Sequence, residues 1–472
     1  MKIAERLPSS WLLLGTLLVC LGLYSAAPTR MNAAQCPNQS QGYNAVYANC
    51  DTSLQGSFAL IDAVPYATDS RGAGSTCDIC QAINYVFVDH NSINANGIVV
   101  DARGVTSPST LACTHGVNPW TTNTYSSFSN VVLLPNGTIT IDSTWQLPSR
   151  TRLVGQGPNL TTIQTCTTSN ICQKSFTGTD IVDMGTSGLC ANANNDCPAV
   201  GIEHLTINGS NNQVNGIVNC CSQELSFVND VAVTNIASGK TGLTVSHDNT
   251  SGFNADNSGP YSNIFFTGVG KCISVTATTN TRGFHGLTCI STGTSGPVIS
   301  VDGANNSISD VYVQGGSTQQ DGIRLGFVGS AQGNVLTNVF GTQLASVIHI
   351  SAQSSSSAVC PYYVCDVTVL GVTKSGGTSA AIKDDLPGGP TLTDTNVGMY
   401  LVGEPIQGGG TTIGYSRFTT STTSSAHAVT WLVGAANPSG STCPTGSLFS
   451  CTTSICTKTL WGCVGNGWAG IK

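Results

Sequence analysis

The chain has 472 residues, of which 9% are charged and 40% hydrophobic, with a net charge of −7. Disorder requires high charge and low hydrophobicity, and a nucleic-acid partner requires clustered Lys and Arg, so this composition argues against both. A folded chain with so few charges must cover its surface with Ser, Thr, Asn and Gly.

In chain order, residues 1–34 read as a secretory signal. Lys2 and Arg6 form a basic start, and Trp11 to Tyr24 form an apolar stretch too short to span a bilayer comfortably. Small residues at Ser25–Ala27 and at Ala33–Ala34 offer two cleavage points, after 27 or after 34. A lipidated Cys20 is disfavoured by Val19, which stands where a small residue is wanted; an uncleaved anchor is the other alternative. Export fits the 20 cysteines, several of them in close pairs such as Cys166/Cys172, Cys190/Cys197 and Cys360/Cys365. Disulfides Cys190–Cys197 and Cys360–Cys365 are expected because each closes a short loop. A zinc site is not expected, because Cys77-x-x-Cys80 has no second pair at ligand spacing.

Within residues 35–95, the segment 77–90 puts Ile79, Ile83 and Val86 at helical spacing and predicts a short helix capping the N-terminal end of the main body. That body comprises residues 96–390. A first strand recurs at Leu205/Ile207, Val231/Val233, Ile264/Phe266, Leu287/Cys289, Val311/Val313 and Val367/Val369. A second recurs at Ile217, Leu243, Ile273, Ile299, Ile323 and Ile348, at intervals of 26, 30, 26, 24 and 25 residues. Alternating apolar residues bury one strand face, and a period of this size signals a solenoid. Without a leucine-rich signature or four strands per repeat, the prediction is a parallel β-helix. Leu205, Val231, Leu287, Val311 and Val367 should share one interior row. Asp230, Asn263, Asp310, Asn338 and Asp366 precede the first strands and read as a polar corner ladder. Residues 391–472 lose the repeat and read as a small C-terminal β module.

The segments GIVVDARGV (97–105) and LPNGTITIDSTWQLPSRTRLVGQG (134–157), followed by the coils, resemble the pectate-lyase-like right-handed parallel β-helix superfamily over about residues 75–390. That superfamily includes polysaccharide lyases, polygalacturonase-type hydrolases, epimerases and viral tailspikes. The endings PTGSLFS (444–450) and LWGCVGNGWAGIK (460–472) are similar to β modules that close some tailspike-like chains, which implies a homotrimer through this module. The hydrolase motifs do not carry over. Gln320-Asp321-Gly322 offers one acid where two are wanted, and Gly283-Phe284-His285-Gly286 has one residue too many.

The register also nominates chemistry. Outward positions of the second strands read Thr244, Ser274, Ser300, Arg324, His349 and Lys383. The last three stack on consecutive coils about 5 Å apart. Arg324, Asp321 and Lys383 are the candidate catalytic residues, and His349 a substrate-binding one, in a groove for acidic, pectin-like glycans. Arg324 suits bidentate carboxylate recognition. In lyases of the superfamily an Arg commonly serves as base, which implies the same role for Arg324; solvated surface is the plainer reading of all three positions. On the first strands, Tyr312 and Phe340 are outward neighbours suited to stacking on sugar rings, unless a return loop covers them. Asp248 and Asp256, in the long return loop 246–263, are candidate calcium ligands, calcium being the one cofactor expected. The functional expectation is a secreted polysaccharide-active protein, with lyase chemistry ahead of hydrolysis. The alternative is a non-catalytic adhesin-like or tailspike-like glycan-binding structural protein. Polysaccharide is the expected partner, and nucleic acid is not.

Overall fold

A computed structural model describes residues 59–67, 77–90, 97–107, 111–120, 130–172, 174–185, 197–246, 255–276, 280–352, 364–375, 380–386, 391–392, 396–407, 413–421 and the strands 431–434, 448–451, 460–464 and 467–470. The expected secretory signal, residues 1–34, lies outside them.

Among these residues the repeat builds a right-handed parallel β-helix. From Gly201 on, each coil contributes a long strand of eight or nine residues, such as Gly201–Asn208 or Ser307–Gln314, and a five-residue short strand, such as Asp321–Leu325. Long strands join a 16-stranded sheet and short strands a 10-stranded one. On the short strands, Ile217, Leu243, Ile273, Ile299, Ile323, Ile348 and Ile382 occupy one register row, all buried.

The long strands carry two interior rows, because each strand bends at a left-handed residue. Ile202, Val228, Tyr261, Phe284, Ile308, Leu336 and Val369 fill the row before the bend. Leu205, Val231 and Ile264, then Leu287, Val311, Val339 and Val372, fill the row after it. The expected fifth member of this second row, Val367, is therefore replaced by Val372. Val367 lies upstream of its strand's bend at Gly371 (φ 70°), where its alternation belongs to the other row.

The bend residues are His204, Asp230, Asn263, Gly286, Asp310, Asn338 and Gly371, with φ between 52° and 70°. Asn and Asp tolerate this conformation better than other side-chain-bearing residues. They also bond along the stack: Asn338 Nδ2 donates to Asp310 Oδ1 at 2.7 Å, and His204 Nδ1 meets Asp230 Oδ2 at 2.7 Å. Four members of the expected ladder thus form one corner. Asp366 (φ 57°) does not join them. Its register aligns it with Asn305 (φ 55°) and Gly333 (φ 62°), at the corner that precedes the long strand. Asn338→Val, which forces a β-branched residue to positive φ and removes the bond to Asp310, should cost about 1–3 kcal/mol. Asn338→Gly should cost less than half of that, as read from chemical denaturation; equal losses would show that the conformation is not what selects the residue.

The predicted helix spans Ile79–His90, with Ile79, Ile83 and Val86 fully buried. Asp78 starts it: its Oδ1 accepts from Gln81 N (2.9 Å), and Gln81 Oε1 accepts from Asp78 N (3.1 Å), a reciprocal cap. A Cys80–Cys113 disulfide and a bond from Trp145 Nε1 to Cys80 Sγ (3.3 Å) tie the helix to the first coils. The sheet starts ahead of the helix, because Ala59–Asp62 pairs in parallel with Ile98–Asp101. At the other end the pairing turns antiparallel. Asn396–Gln407 adds to Val367–Lys374, Ile413–Ser421 adds to that, and four later strands form a sheet of their own.

Cys166–Cys172 is bonded, as is the adjacent pair Cys220–Cys221, which spacing did not suggest. Cys197 is also disulfide-bonded. Cys190, Cys360 and the side chain of Cys365 lie outside the described residues. No helix among the described residues is long and apolar enough to cross a membrane.

Candidate functional site

Register places Arg324 beside His349 and His349 beside Lys383 on three consecutive short strands. Cations stacked this closely repel, yet the file is not left uncompensated. Asp321 Oδ2 lies 2.6 Å from His349 Nδ1 and 3.7 Å from the Arg324 guanidinium, while its Oδ1 accepts from Ser346 Oγ at 2.7 Å. Asp321 reaches two basic residues, because it starts the strand whose middle carries Arg324 and is aligned with Ser346 on the coil of His349. The second acid, Asp385, comes just after the last short strand. Its Oδ2 lies 2.7 Å from His349 Nε2, and its Oδ1 3.2 Å from Lys383 Nζ.

The result is an alternating chain, Arg324–Asp321–His349–Asp385–Lys383. Its side chains differ in access: His349 is 6% exposed and Asp321 14%, whereas Arg324 is 26%, Asp385 38% and Lys383 43% exposed. Burial alone would raise the Asp321 carboxyl. The hydrogen bonds from His349 and Ser346, with the charges of His349 and Arg324, outweigh it and hold the group below the usual carboxylate range. Burial likewise pulls Asp385 up, and the bonds and charges of His349 and Lys383 bring it below that range. Both ring nitrogens of His349 face carboxylate oxygens, so the imidazolium, which donates from both, is the form this geometry accommodates.

Arg324 is fixed on further sides. Its Nε donates to Ser351 Oγ at 2.9 Å, and its guanidinium lies 4.6 Å from the Phe327 ring centre. Phe327 belongs to a turn pinned by the buried Asp302, whose Oδ1 accepts from Val328 N (2.9 Å) and Gly329 N (3.2 Å). Arginine side chains keep their proton in proteins, which suits them to holding a carboxylate rather than to removing a proton.

Asp385, Ser351, Phe327 and Asp302 escaped the sequence reading. Only Asp385 left a signal there, in the Lys383-Asp384-Asp385 run. At the far end of the same outward file, Asp183 aligns with Gln146 and Val218, five coils from Arg324, or about 24 Å at ~4.8 Å per coil. Burial, aided by the Asp180 charge, pushes its carboxyl up to about 7. Its distance keeps it out of the cluster.

Tyr312 and Phe340 are neighbours in register, but their rings stack face to face at 5.6 Å and 13°. Each ring thereby spends one face on the other, and Tyr312 Oη donates to Gln314 Oε1 at 3.1 Å. They lie on the long-strand sheet, away from the charged cluster. Of the calcium candidates, Asp248 lies outside the described residues, and Asp256 Oδ1 accepts from Asn280 N at 3.0 Å. Asp78, Cys80 and Cys113 also converge, but the two sulfurs are joined in the disulfide and cannot ligate.

No protein-family model matches the chain, and no curated protein matches it. Among solved structures it is similar to ORF18 of Geobacillus virus E2, with 15% identity and a TM-score of 0.34 over 88% of this chain and 86% of that one. It is also similar to the A-modules of two Azotobacter vinelandii mannuronan C-5 epimerases. For AlgE4 the identity is 13% and the TM-score 0.28, covering 54% of this chain and 83% of that one. For AlgE6 the figures are 13% and 0.27, covering 55% and 87%.

Proposed function

We propose that the chain is a secreted polysaccharide-active β-helix protein that takes an acidic glycan on its short-strand face and cleaves it by elimination. The observation that carries this reading is the alternating chain, in which partly exposed Arg324 and Lys383 flank a buried His349 held between two carboxylates. With His349 charged, three cations face two carboxylates, leaving one positive charge for the carboxylate of a bound sugar.

Elimination needs that carboxylate neutralised, to acidify the proton beside it, and a base within reach. Arg324 supplies the first. Asp385, the more exposed of the two carboxylates, is placed to accept the proton, and the ammonium of Lys383 beside it to protonate the departing oxygen. Hydrolysis fits less well, because it needs two carboxyls free to flank the bond. Here Asp321 is largely buried, with both oxygens engaged by Ser346, His349 and Arg324.

The test is a panel of polyuronates followed in the near ultraviolet, where an unsaturated product absorbs, with binding measured in parallel. Turnover by the wild type should fall at least a hundredfold in Lys383→Ala, with binding weakened less than tenfold. In Arg324→Ala, binding should weaken and lose much of its salt dependence. Binding without any turnover would favour the non-catalytic, adhesin-like reading. If Arg324→Ala together with Lys383→Ala leaves binding and its salt dependence unchanged, the site is not here.

A further inference from the structure

The interior holds a pair of cysteines that the disulfides leave aside. Cys272 and Cys289 are free thiols, both fully buried. Cys272 lies on the short strand Lys271–Val275 of one coil, and Cys289 on the long strand Phe284–Ser291 of the next.

Register fixes their neighbourhood. Cys289 is aligned with Phe266, and Cys272 with Gly242, one coil earlier in each case. Phe266 and Gly242 are themselves in contact, since a Cβ built on Gly242 would stand 2.7 Å from the Phe266 ring. One layer further on, the two thiols occupy the same relation. Replacing a ring-against-glycine contact by two small sulfur side chains fills the layer and places sulfur against sulfur.

We infer that Cys272 and Cys289 form a disulfide between successive coils when the chain folds under oxidising conditions, and that closing the coil fixes whichever state the pair then holds. The oxidant is a small disulfide of the glutathione class. One cysteine thiolate attacks it and expels a thiolate, leaving a mixed disulfide. The second cysteine, losing its proton, attacks the protein sulfur of that mixed disulfide and expels the other thiolate. Two protons leave, and the two electrons end on the released thiols.

The reaction needs a thiolate. Burial pushes the Cys272 thiol well up, and the neighbouring Cys289 adds to the effect. The closed coil therefore resists oxidation, and an open one does not.

The experiment uses the full chain, obtained both by secretion into an oxidising compartment and as folded protein from a reducing one. Each sample is unfolded with a maleimide and digested with trypsin. Cleavage after Lys271, Arg282 and Arg324 puts Cys272 in peptide 272–282 and Cys289 in peptide 283–324, each the sole cysteine there. From the secreted sample the two peptides should emerge linked, lighter than their sum by two hydrogens. Two maleimide adducts from that sample would overturn the inference. Folded protein from the reducing compartment, held in oxidised glutathione before unfolding, should yield the two adducts. A linked pair from that sample would overturn the claim that folding fixes the state.

Discussion

His349→Ala should lower stability by about 2–3 kcal/mol, somewhat under the roughly 3–5 kcal/mol expected for breaking a fully buried ion pair. His349 is the central link of the alternating chain, and its removal strands two carboxylates at once. Asp321 keeps Ser346 and the more distant Arg324, and Asp385 keeps Lys383. The discount reflects Asp385, which is partly solvated. The pH dependence separates this account from a plain loss of packing. Both carboxyls titrate below their usual range in the folded chain. Their contribution is therefore complete above the unfolded carboxylate value, near 4, and is lost as pH falls through the lower folded values. Wild type should lose its advantage over His349→Ala across that acid window, as followed by urea unfolding at a series of pH values. A constant gap between the two proteins down to the most acidic point would show that His349 matters only as bulk.

The coils were legible in the sequence because their physical signature is periodic. Burial on one face demands alternation, stacking demands a repeat, and the short strands obey both, so Ile217 through Ile348 fall into one row as spacing predicts. The long strands were less legible because a bend in mid-strand resets the alternation. Val367 and Val372 look equivalent until Gly371 is known to be left-handed. The same bend sends Asp366 to a different corner from Asn338. Of the charged cluster, register delivered the file Arg324, His349 and Lys383, each at an outward position of its strand. It did not deliver Asp385, which lies past the strand's end, where alternation no longer says which way a side chain points. Phe327 and Asp302 were hidden for the same reason: both act from turns. Tyr312 and Phe340 show the converse limit. Register made them neighbours, but not whether their faces meet a sugar or each other.

Phe266→Ala should be the most damaging single change, costing about 3–5 kcal/mol as a fully buried ring is lost and its neighbours fail to close the gap. The depth of that loss depends on Gly242, whose missing side chain admits the ring. A Cβ there would stand 2.7 Å from one ring atom of Phe266, 2.8 Å from another and 3.0 Å from the Cys272 carbonyl oxygen. Gly242→Ala alone should therefore cost about 1–3 kcal/mol through overpacking. The ring can yield, whereas the carbonyl belongs to a paired strand and cannot move without disturbing the next coil. In the double variant Phe266→Ala with Gly242→Ala, the added methyl enters the space the ring has left. The combined loss should then fall short of the sum of the single losses by about 1 kcal/mol or more, the size of coupling expected of residues in contact. Strict additivity in denaturant unfolding would mean that the ring and the glycine do not share this layer. It would equally remove the geometric ground for placing Cys272 against Cys289 in the layer above.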